Sequence, residues 1–299
     1  MAREKYSRKT WMDLPPKLDD YPSGNWLTTT FFVCVMLSGW VASWLAQLLF
    51  TYTVGWFISS KTRLQFWNGY LFRLCAAAPV ARFVPGISIK KTVNSWQPTE
   101  EYVNGKKAVM IIANHRSFMD PFALGSAMLP LETKYVAKSE LFKVPFGGWA
   151  MKRGGDLAVR FDKNKNQGWG TVKGSTGQLL LQAAEHLQNG NSIAIFPEGT
   201  RMGFDATRAA EAAAHESKLM PFKPPFFDLA KKLNISVVCV AMRGTDDVWP
   251  VGSNMQRPAS VLIDIAEPIS PTQFNSDVEF ADAMRIKLGK MYQDLCSAS

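Results

Sequence analysis

The longest apolar run of the chain lies near its N-terminus. From Tyr21 to Ser60 there are 40 consecutive residues without a charged side chain, whereas a helix needs only about 20 residues to cross the hydrocarbon core of a bilayer. A secretory signal fits poorly, because the run is longer than a signal core and follows a segment of mixed charge. We therefore expect this segment to be retained in or on a membrane.

Small residues recur every four positions within the run. Ser38, Ala42 and Ala46, with Gly39 and Ser43 beside them, form a narrow stripe that a second helix could approach closely. The amphipathic segment 62–78, which ends at Pro79, is the natural partner. The face predicted for that partner comprises Leu64, Trp67, Leu71 and Leu74, with Arg63 and Arg73 as polar ends. Basic residues flank the run on both sides, which favours a helical hairpin in one leaflet over a single tilted anchor.

After about residue 82 the pattern changes to short apolar strands that alternate with amphipathic helices. Strands are predicted at 86–90, 108–114, 134–138, 156–160, 192–196, 235–242 and 260–265. Several of these are continuously apolar, which is typical of parallel strands covered on both faces. We expect an α/β fold with a central, largely parallel mixed sheet flanked by helices. Residues 1–82 would form a membrane-anchoring two-helix motif and residues 83–299 the catalytic domain.

Helices are predicted at 176–190, at 226–233 and from the capping box at Ser276 and Glu279 to about Leu295. Two polar stretches are interpreted as mobile loops around a site. They cover residues 161–171 and 201–218.

Composition narrows the choice of partners. A hydrophobic content of 47% and a mean hydropathy of −0.07 exclude a polytopic membrane protein. The net charge of +9 favours an anionic membrane surface, a nucleic acid or a phosphorylated substrate. Nucleic acid is the weakest of these, because no recognised nucleic-acid module is present. The four cysteines form no C-x-x-C pair, so a reducing, cytosol-facing location without a metal site is expected.

The first candidate for chemistry is the run from His115 to Asp120. It follows an apolar strand at its C-terminal end, where open α/β sheets place their ligands. Asp120 before Pro121 is typical of a helix N-terminus, with Asp120 as the cap, so the turn could bring the two side chains together. A carboxylate beside an imidazole orients the ring as a general base. Alone, either residue could be structural, and Ser117 lacks the sequence context of a nucleophile.

Two further segments carry cations at strand ends. In FPEGTR, Glu198, Gly199, Thr200 and Arg201 follow a buried strand, and Arg201 is suited to a phosphate, although a plain surface turn would look the same. The segment 138–160 interleaves basic and aromatic residues, which could hold a phosphate and an apolar chain or form a solvated basic face. Its basic candidates are Lys138, Arg153 and Arg160.

Taken together, NHRSFMD (114–120) and FPEGTR (196–201), in this order after an apolar hairpin, resemble the 1-acyl-glycerol-3-phosphate acyltransferases. The resemblance implies that His115 and Asp120 are the catalytic H-x-x-x-x-D pair. It implies that Glu198 to Arg201 hold the acceptor, and that Lys138 and Arg153 match basic positions for its phosphate. Arg160 stands one place earlier than the family's usual arginine, and the apolar segment around Cys239 lacks the family's usual proline.

The resemblance also implies the reaction. An acyl group would pass from acyl-CoA or acyl carrier protein to the sn-2 hydroxyl of lysophosphatidic acid, giving phosphatidic acid, with no cofactor besides the thioester co-substrate. The expected location is the inner membrane, with the catalytic domain on the cytosolic side and an anionic phospholipid surface as partner. Three alternatives remain open: another lysolipid as acceptor, a membrane-bound lipid hydrolase, and a non-enzymatic lipid-binding protein.

Overall fold

The computed structural model describes residues 18, 21–164, 168–171, 175–202 and 206–297. The helices are α1 (Trp26–Tyr52), α2 (Lys61–Ala76), α3 (Ala78–Phe83), α4 (Glu100–Val103), α5 (Asp120–Met128), α6 (Gly147–Arg153), α7 (Ser175–Gln188), α8 (Ala206–Ala214), α9 (Pro225–Lys232), α10 (Thr245–Val248) and α11 (Asp277–Ser297). The strands are β1 (Ile87–Lys91), β2 (Met110–Ala113), β3 (Thr133–Lys138), β4 (Leu157–Val159), β5 (Phe161–Asn164), β6 (Gly168–Thr171), β7 (Ser192–Ile195), β8 (Val237–Arg243) and β9 (Ala259–Ile265).

Seven strands form one sheet in the order β1-β9-β8-β2-β7-β3-β4. All neighbouring pairs are parallel except β8 and β9. The prediction of a largely parallel mixed sheet is thus confirmed, and each of its seven strands was predicted with ends shifted by no more than two residues. Strands β8, β2, β7, β3 and β4 point the same way, so the loops after them meet at one edge of the sheet.

Apolar residues cover both faces of the sheet. Along the central strand, Ile111 belongs to one buried cluster, and its neighbours Met110 and Ile112 belong to the other. The first cluster includes residues of α1, α3 and α5, and the second includes residues of α7, α9 and α11. A strand buried on both faces has no polar side to alternate with, which explains its continuously apolar sequence.

Both stretches interpreted as mobile loops contain regular structure, so that interpretation was wrong where the structure describes them. Strands β5 and β6 pair antiparallel as a hairpin directly after β4. Helix α8 occupies the alanine-rich run from 206 to 214, and alanine has the highest helix propensity of all residues. Residues 165–167 and 203–205 lie outside the described residues.

The N-terminal helices α1 and α2 pack against each other through part of the predicted stripe of small residues. Gly39 makes the close approach, because a Cβ there would lie 2.5 Å from the carbonyl oxygen of Cys75. Ser43 and Gln47 continue the buried stripe, whereas Ser38 and Ala42 are exposed. The contact therefore uses Gly39 and Ser43 of the predicted stripe but not Ser38 or Ala42.

Helix α1 lies along the α/β portion over most of its length. The backbone N–H of Asn25, which precedes α1, donates to the carbonyl of Gln256 at 2.9 Å. Further along, the fully buried Phe32 belongs to the core cluster, and Nε2 of Gln47 donates to the carbonyl of Ala150 at 3.0 Å. These contacts span about 33 Å at roughly 1.5 Å per residue. The helix therefore cannot stand clear of the rest of the molecule.

Helix α2 buries charge instead of the predicted apolar face. Arg73, expected at a polar end, is buried in an ion pair with Asp156 and lies 4.4 Å from the centroid of the Tyr135 ring. Beside it, Lys134 pairs with Glu132 at 2.9 Å and donates to the carbonyl of Gln65 in α2 at 2.8 Å. The predicted face was wrong because α2 packs on this buried polar group. The helix pair shares a core with the remaining chain, and the boundary at residue 82 stays a prediction.

The two histidines outside the candidate site, His186 and His215, both have hydrogen-bond partners. His186 is only 6% exposed, and its Nδ1 accepts a hydrogen bond from Nδ2 of Asn191 at 3.0 Å. Nδ1 of His215 lies 2.8 Å from the hydroxyl of Ser217. Burial lowers the pKa of His186 to about 4, so its ring is neutral in the folded protein at pH 7.

This histidine makes stability depend on pH. The unfolded chain binds a proton at His186 near pH 6.5 but the folded chain only near pH 4, so the stabilisation is complete above about pH 6.5 and is lost as pH falls towards 4. The loss should be on the order of 3 kcal/mol. We expect His186→Gln to show a smaller drop in melting temperature between pH 7 and pH 4.5 than the wild type. An equal drop in both proteins would contradict this assignment.

Candidate active site

The turn after β2 brings His115 and Asp120 together. Their Nδ1 and Oδ2 atoms are 2.7 Å apart. The same oxygen accepts the backbone N–H groups of Arg116 at 2.7 Å and Ser117 at 2.8 Å. Asp120 begins α5, yet its carboxylate closes the preceding turn and does not cap the helix as predicted. Three donors on one fully buried oxygen hold both the carboxylate and the imidazole in place.

The His115 ring is oriented for proton transfer. With Nδ1 directed at the carboxylate, that nitrogen carries the proton and Nε2 can accept one from a substrate. The ring stacks on Phe196 at a centroid distance of 4.2 Å and an interplanar angle of 18°. Its side chain keeps 19% of its surface exposed, against none for Asp120. The pair can therefore act as a general base that a hydroxyl group reaches from outside.

Glu198 stabilises this turn through a carboxylate that is buried inside the fold. Its two carboxylate oxygens accept the backbone N–H of His115 at 2.8 Å and that of Met220 at 3.1 Å. The side chain is fully buried, and burial raises its pKa while the two N–H groups and the nearby Arg116 charge oppose that rise. The expectation that Glu198 contacts the acceptor is corrected on this ground, because a residue without exposed surface cannot touch a ligand.

The rest of the FPEGTR turn stays accessible. Gly199 has a φ of +71°, a left-handed backbone conformation that glycine adopts without the steric cost of a side chain. Thr200 and Arg201 are partly exposed beside it. The guanidinium carbon of Arg201 lies 3.5 Å from the centroid of the Phe118 ring. Burial lowers the pKa of Arg201 and the negative charge of Asp120 opposes this shift, which places Arg201 near the dyad.

The three basic candidates lie in different places. Lys138 ends β3 and Arg160 follows β4, and both are exposed at the edge that carries the dyad. At about 4.8 Å per strand, these ends lie roughly 10 and 14 Å from the end of β2. Arg153 ends α6, which returns to the opposite edge, because the nearby Asp156 accepts the N–H of Tyr135 near the start of β3 at 2.8 Å. The structure thus separates Arg153 from the other candidates.

Three polar residues of the same turn have structural roles that the sequence analysis did not identify. The buried Asn114 joins β2 to β8 through two hydrogen bonds with the backbone of Met242, each 2.8 Å long. Arg116 is buried against Asp246 at 3.3 Å. The Ser117 hydroxyl donates to the carbonyl of Trp249 at 2.7 Å. Ser117 is fully buried and therefore has no access to a substrate as a nucleophile.

Comparison with known proteins agrees with this geometry. The profile of the Acyltransferase family matches residues 97–243, which include the dyad and the FPEGTR turn. Residues 97–243 of the chain are thus similar to the acyltransferase family. It is 30% identical to 1-acyl-sn-glycerol-3-phosphate acyltransferase from Chlamydomonas reinhardtii over 60% of this chain and 47% of that protein. Identity is also 30% to the Saccharomyces cerevisiae enzyme of the same name, over 60% of this chain and 54% of that protein.

Other relatives extend the comparison. Lyso-ornithine lipid O-acyltransferase from Pseudomonas aeruginosa is 31% identical over 50% of this chain and 45% of that protein. The chain spans about half the length of the curated relatives it matches. The crystal structure of the 1-acyl-sn-glycerophosphate acyltransferase PlsC from Thermotoga maritima superimposes with a TM-score of 0.59 at 20% identity, covering 91% of this chain and 95% of that one. This likeness concerns the fold.

Glu198 offers a test of how the site is held. In Glu198→Gln the amide has one acceptor oxygen for two N–H donors, and its own NH₂ group would oppose one of them. We expect a loss of about 1 to 3 kcal/mol in the free energy of unfolding, seen as a lower melting temperature, together with reduced turnover. The exposed Glu185 on α7 supplies the control Glu185→Gln. Equal melting temperatures for the two variants would contradict the supporting role.

Proposed function

We propose that the protein transfers an acyl group from a thioester to the sn-2 hydroxyl of lysophosphatidic acid, forming phosphatidic acid. The observation that carries this proposal is the His115–Asp120 pair, 2.7 Å apart at the end of a parallel strand and open to solvent on the imidazole side. The names of the curated relatives support the acceptor. The donor is proposed from the resemblance as acyl-CoA or acyl carrier protein.

In the proposed mechanism, Nε2 of His115 takes the proton of the acceptor hydroxyl as its oxygen attacks the thioester carbonyl. Asp120 stabilises the imidazolium that forms. The carbon–sulfur bond then breaks, and the thiolate leaves and can take the proton from His115. A thiol has a pKa of about 8.5, so its departure needs little acid assistance. No acyl-enzyme is required, which fits the burial of the nearby Ser117.

The acceptor's phosphate is assigned to the cations at the same edge of the sheet. Arg201 lies beside the dyad and takes the central role, because a guanidinium can form two parallel hydrogen bonds to a phosphate. Lys138 and Arg160 are placed to extend this positive edge. Arg153 is left out of the proposal because of its position at the opposite edge. Gly199 and Thr200 would line the entrance beside Arg201.

The test is acyl transfer to a panel of lysolipids by the purified full chain, with acyl-CoA and acyl carrier protein as donors and products identified by mass. We expect phosphatidic acid from lysophosphatidic acid, and a rate loss of at least about 10² in His115→Ala, because a general base contributes that much. A matched melting temperature would show that the variant folds. Near wild-type turnover in His115→Ala would rule out the mechanism.

The panel also separates the acceptors. The relative named lyso-ornithine lipid O-acyltransferase makes lyso-ornithine lipid the second acceptor to include, and that lipid carries no phosphate. Preference for it over lysophosphatidic acid would contradict the proposed acceptor while leaving acyl transfer intact. Release of free fatty acid or phosphate without acyl transfer would instead point to a hydrolase.

We further propose that α1 and α2 embed in one leaflet, with the catalytic edge facing the cytosol. Helix α1 has 27 residues and contains an 18-residue stretch with a mean hydropathy of 1.7, enough to cross a membrane, but it also packs on the α/β portion over most of its length. The turn between α1 and α2 presents Trp56 and Phe57 with 77% and 87% of their surface exposed. Exposed aromatic rings are typical of the membrane interface.

Replacement of both aromatic residues in this turn tests the membrane contact. We expect Trp56→Ser together with Phe57→Ser to reduce binding of the full chain to anionic phospholipid vesicles, because two large apolar groups no longer enter the bilayer. Leu181→Ser is the control, since Leu181 lies on α7 and is 73% exposed. The wild type should remain with the membrane fraction after salt and alkaline washing. Its release by salt alone would contradict the embedded hairpin.

A further inference from the structure

The exposed ring of Phe118 needs an explanation. It lies between His115 and Asp120 in the chain, and its neighbours Ser117 and Met119 are fully buried, yet 48% of its surface is exposed. Leaving a large aromatic ring in water forgoes the free energy that its burial would yield. The loop is otherwise held by hydrogen bonds that do not involve this side chain. The hydrogen bonds that hold this loop therefore do not require a phenylalanine at position 118.

The contacts of this ring show what it does. Its centroid lies 3.5 Å from the guanidinium carbon of Arg201, well within the range of about 6 Å over which an aromatic face attracts a cation. The Phe118 ring also packs against Trp249, at a centroid distance of 5.2 Å. Trp249 in turn packs against the buried Phe32 of α1 at 5.3 Å. The ring is thus held in place by the core while it holds Arg201.

An aromatic ring suits this task better than a carboxylate would. A ring attracts the guanidinium through its quadrupole and carries no net charge, so it holds the cation without neutralising it. The nearby Asp120 also attracts Arg201, while its Oδ2 accepts from His115 and two backbone N–H groups. The contact between Phe118 and Arg201 links the loop that carries the proposed base to the loop that carries the proposed phosphate-binding residue.

We propose that Phe118 is a positioning residue that orients the Arg201 guanidinium towards the anionic head group of the acceptor. The proposal rests on the proposed function, since it deepens the role assigned to Arg201. It also makes Phe118 a determinant of acceptor preference. Loss of the ring should weaken a phosphate-bearing acceptor and leave one without phosphate nearly unaffected.

Steady-state kinetics of Phe118→Leu test this role. We expect the KM for lysophosphatidic acid to rise about 2- to 30-fold, corresponding to the usual strength of a cation–aromatic contact, with a much smaller change in kcat and in the KM for the thioester donor. Phe118→Tyr and Phe118→Trp should restore the wild-type KM. Phe83→Leu is the control, because Phe83 is an exposed phenylalanine at the end of α3. A wild-type KM in Phe118→Leu would overturn the proposal.

A double-mutant cycle shows whether Phe118 acts through Arg201. If it does, Phe118→Leu should raise the KM of the wild type but add little in an Arg201→Ala background, because the contact is already lost there. Equal effects in both backgrounds would overturn the proposal and assign the ring a separate contact.

Binding of a soluble head group separates this inference from the proposed function. Titration of the full chain with sn-glycerol 3-phosphate needs no turnover, and its affinity should fall in both Phe118→Leu and Arg201→Ala. If the wild type transfers no acyl group but this pattern holds, the proposed function fails and the role of Phe118 stands. If affinity falls in Arg201→Ala alone, the role of Phe118 fails and the function stands.

Discussion

The candidate site depends on a buried carboxylate that joins two loops from distant parts of the chain. Glu198 follows β7 and binds the backbone N–H of His115 after β2 and that of Met220 before α9. Removing an ionised carboxylate from water costs several kcal/mol unless donors replace the lost hydration. Here the two N–H groups do so, and these hydrogen bonds also fix the backbone that carries the His115 imidazole. A carboxylate without exposed surface thus determines where the His115 imidazole lies.

The sheet topology brings the two loops of the candidate site together. Because β2 and β7 are parallel neighbours, the loops after them meet at one edge, although His115 and Glu198 are 83 residues apart in the chain. Asp120 completes the arrangement from within the first loop. The result is an imidazole whose Nδ1 binds a carboxylate and whose Nε2 can accept a proton. The Arg201 guanidinium lies close by. Proton transfer and charge recognition therefore come from adjacent loops.

The apolar helices belong to this arrangement as much as the sheet does. Phe32 of α1 packs on Trp249, Trp249 packs on Phe118, and Phe118 contacts Arg201. A continuous series of aromatic contacts thus connects the candidate membrane helix α1 with Arg201, the residue proposed to bind the head group. A lysolipid has its chain in the bilayer and its head group at the surface. A site joined to the anchor in this way could stay in register with such a substrate.

The sequence by itself determined the strands, the apolar N-terminal pair of helices and the residues of the dyad. These features arise from local patterns: continuous apolar runs between turn residues, a 40-residue stretch without charge, and a histidine five residues before an aspartate at a strand end. The polar turns 161–171 and 201–218 were misread as loops, because a short hairpin and an alanine-rich helix leave little hydrophobic pattern. Such a pattern is the main signal that sequence provides.

Only the tertiary structure decided what the charged residues do. Glu198 and Arg73 read as surface or ligand-binding residues, yet both are buried, since their partners come from segments far away in the chain. Arg153 and Lys138 look alike in one basic segment, but α6 carries them to opposite edges of the sheet. Burial and charge pairing depend on distances in space, and a linear sequence states only which residues are neighbours along the chain. The pairing of Phe118 with Arg201 could likewise be seen only once the two loops were folded together.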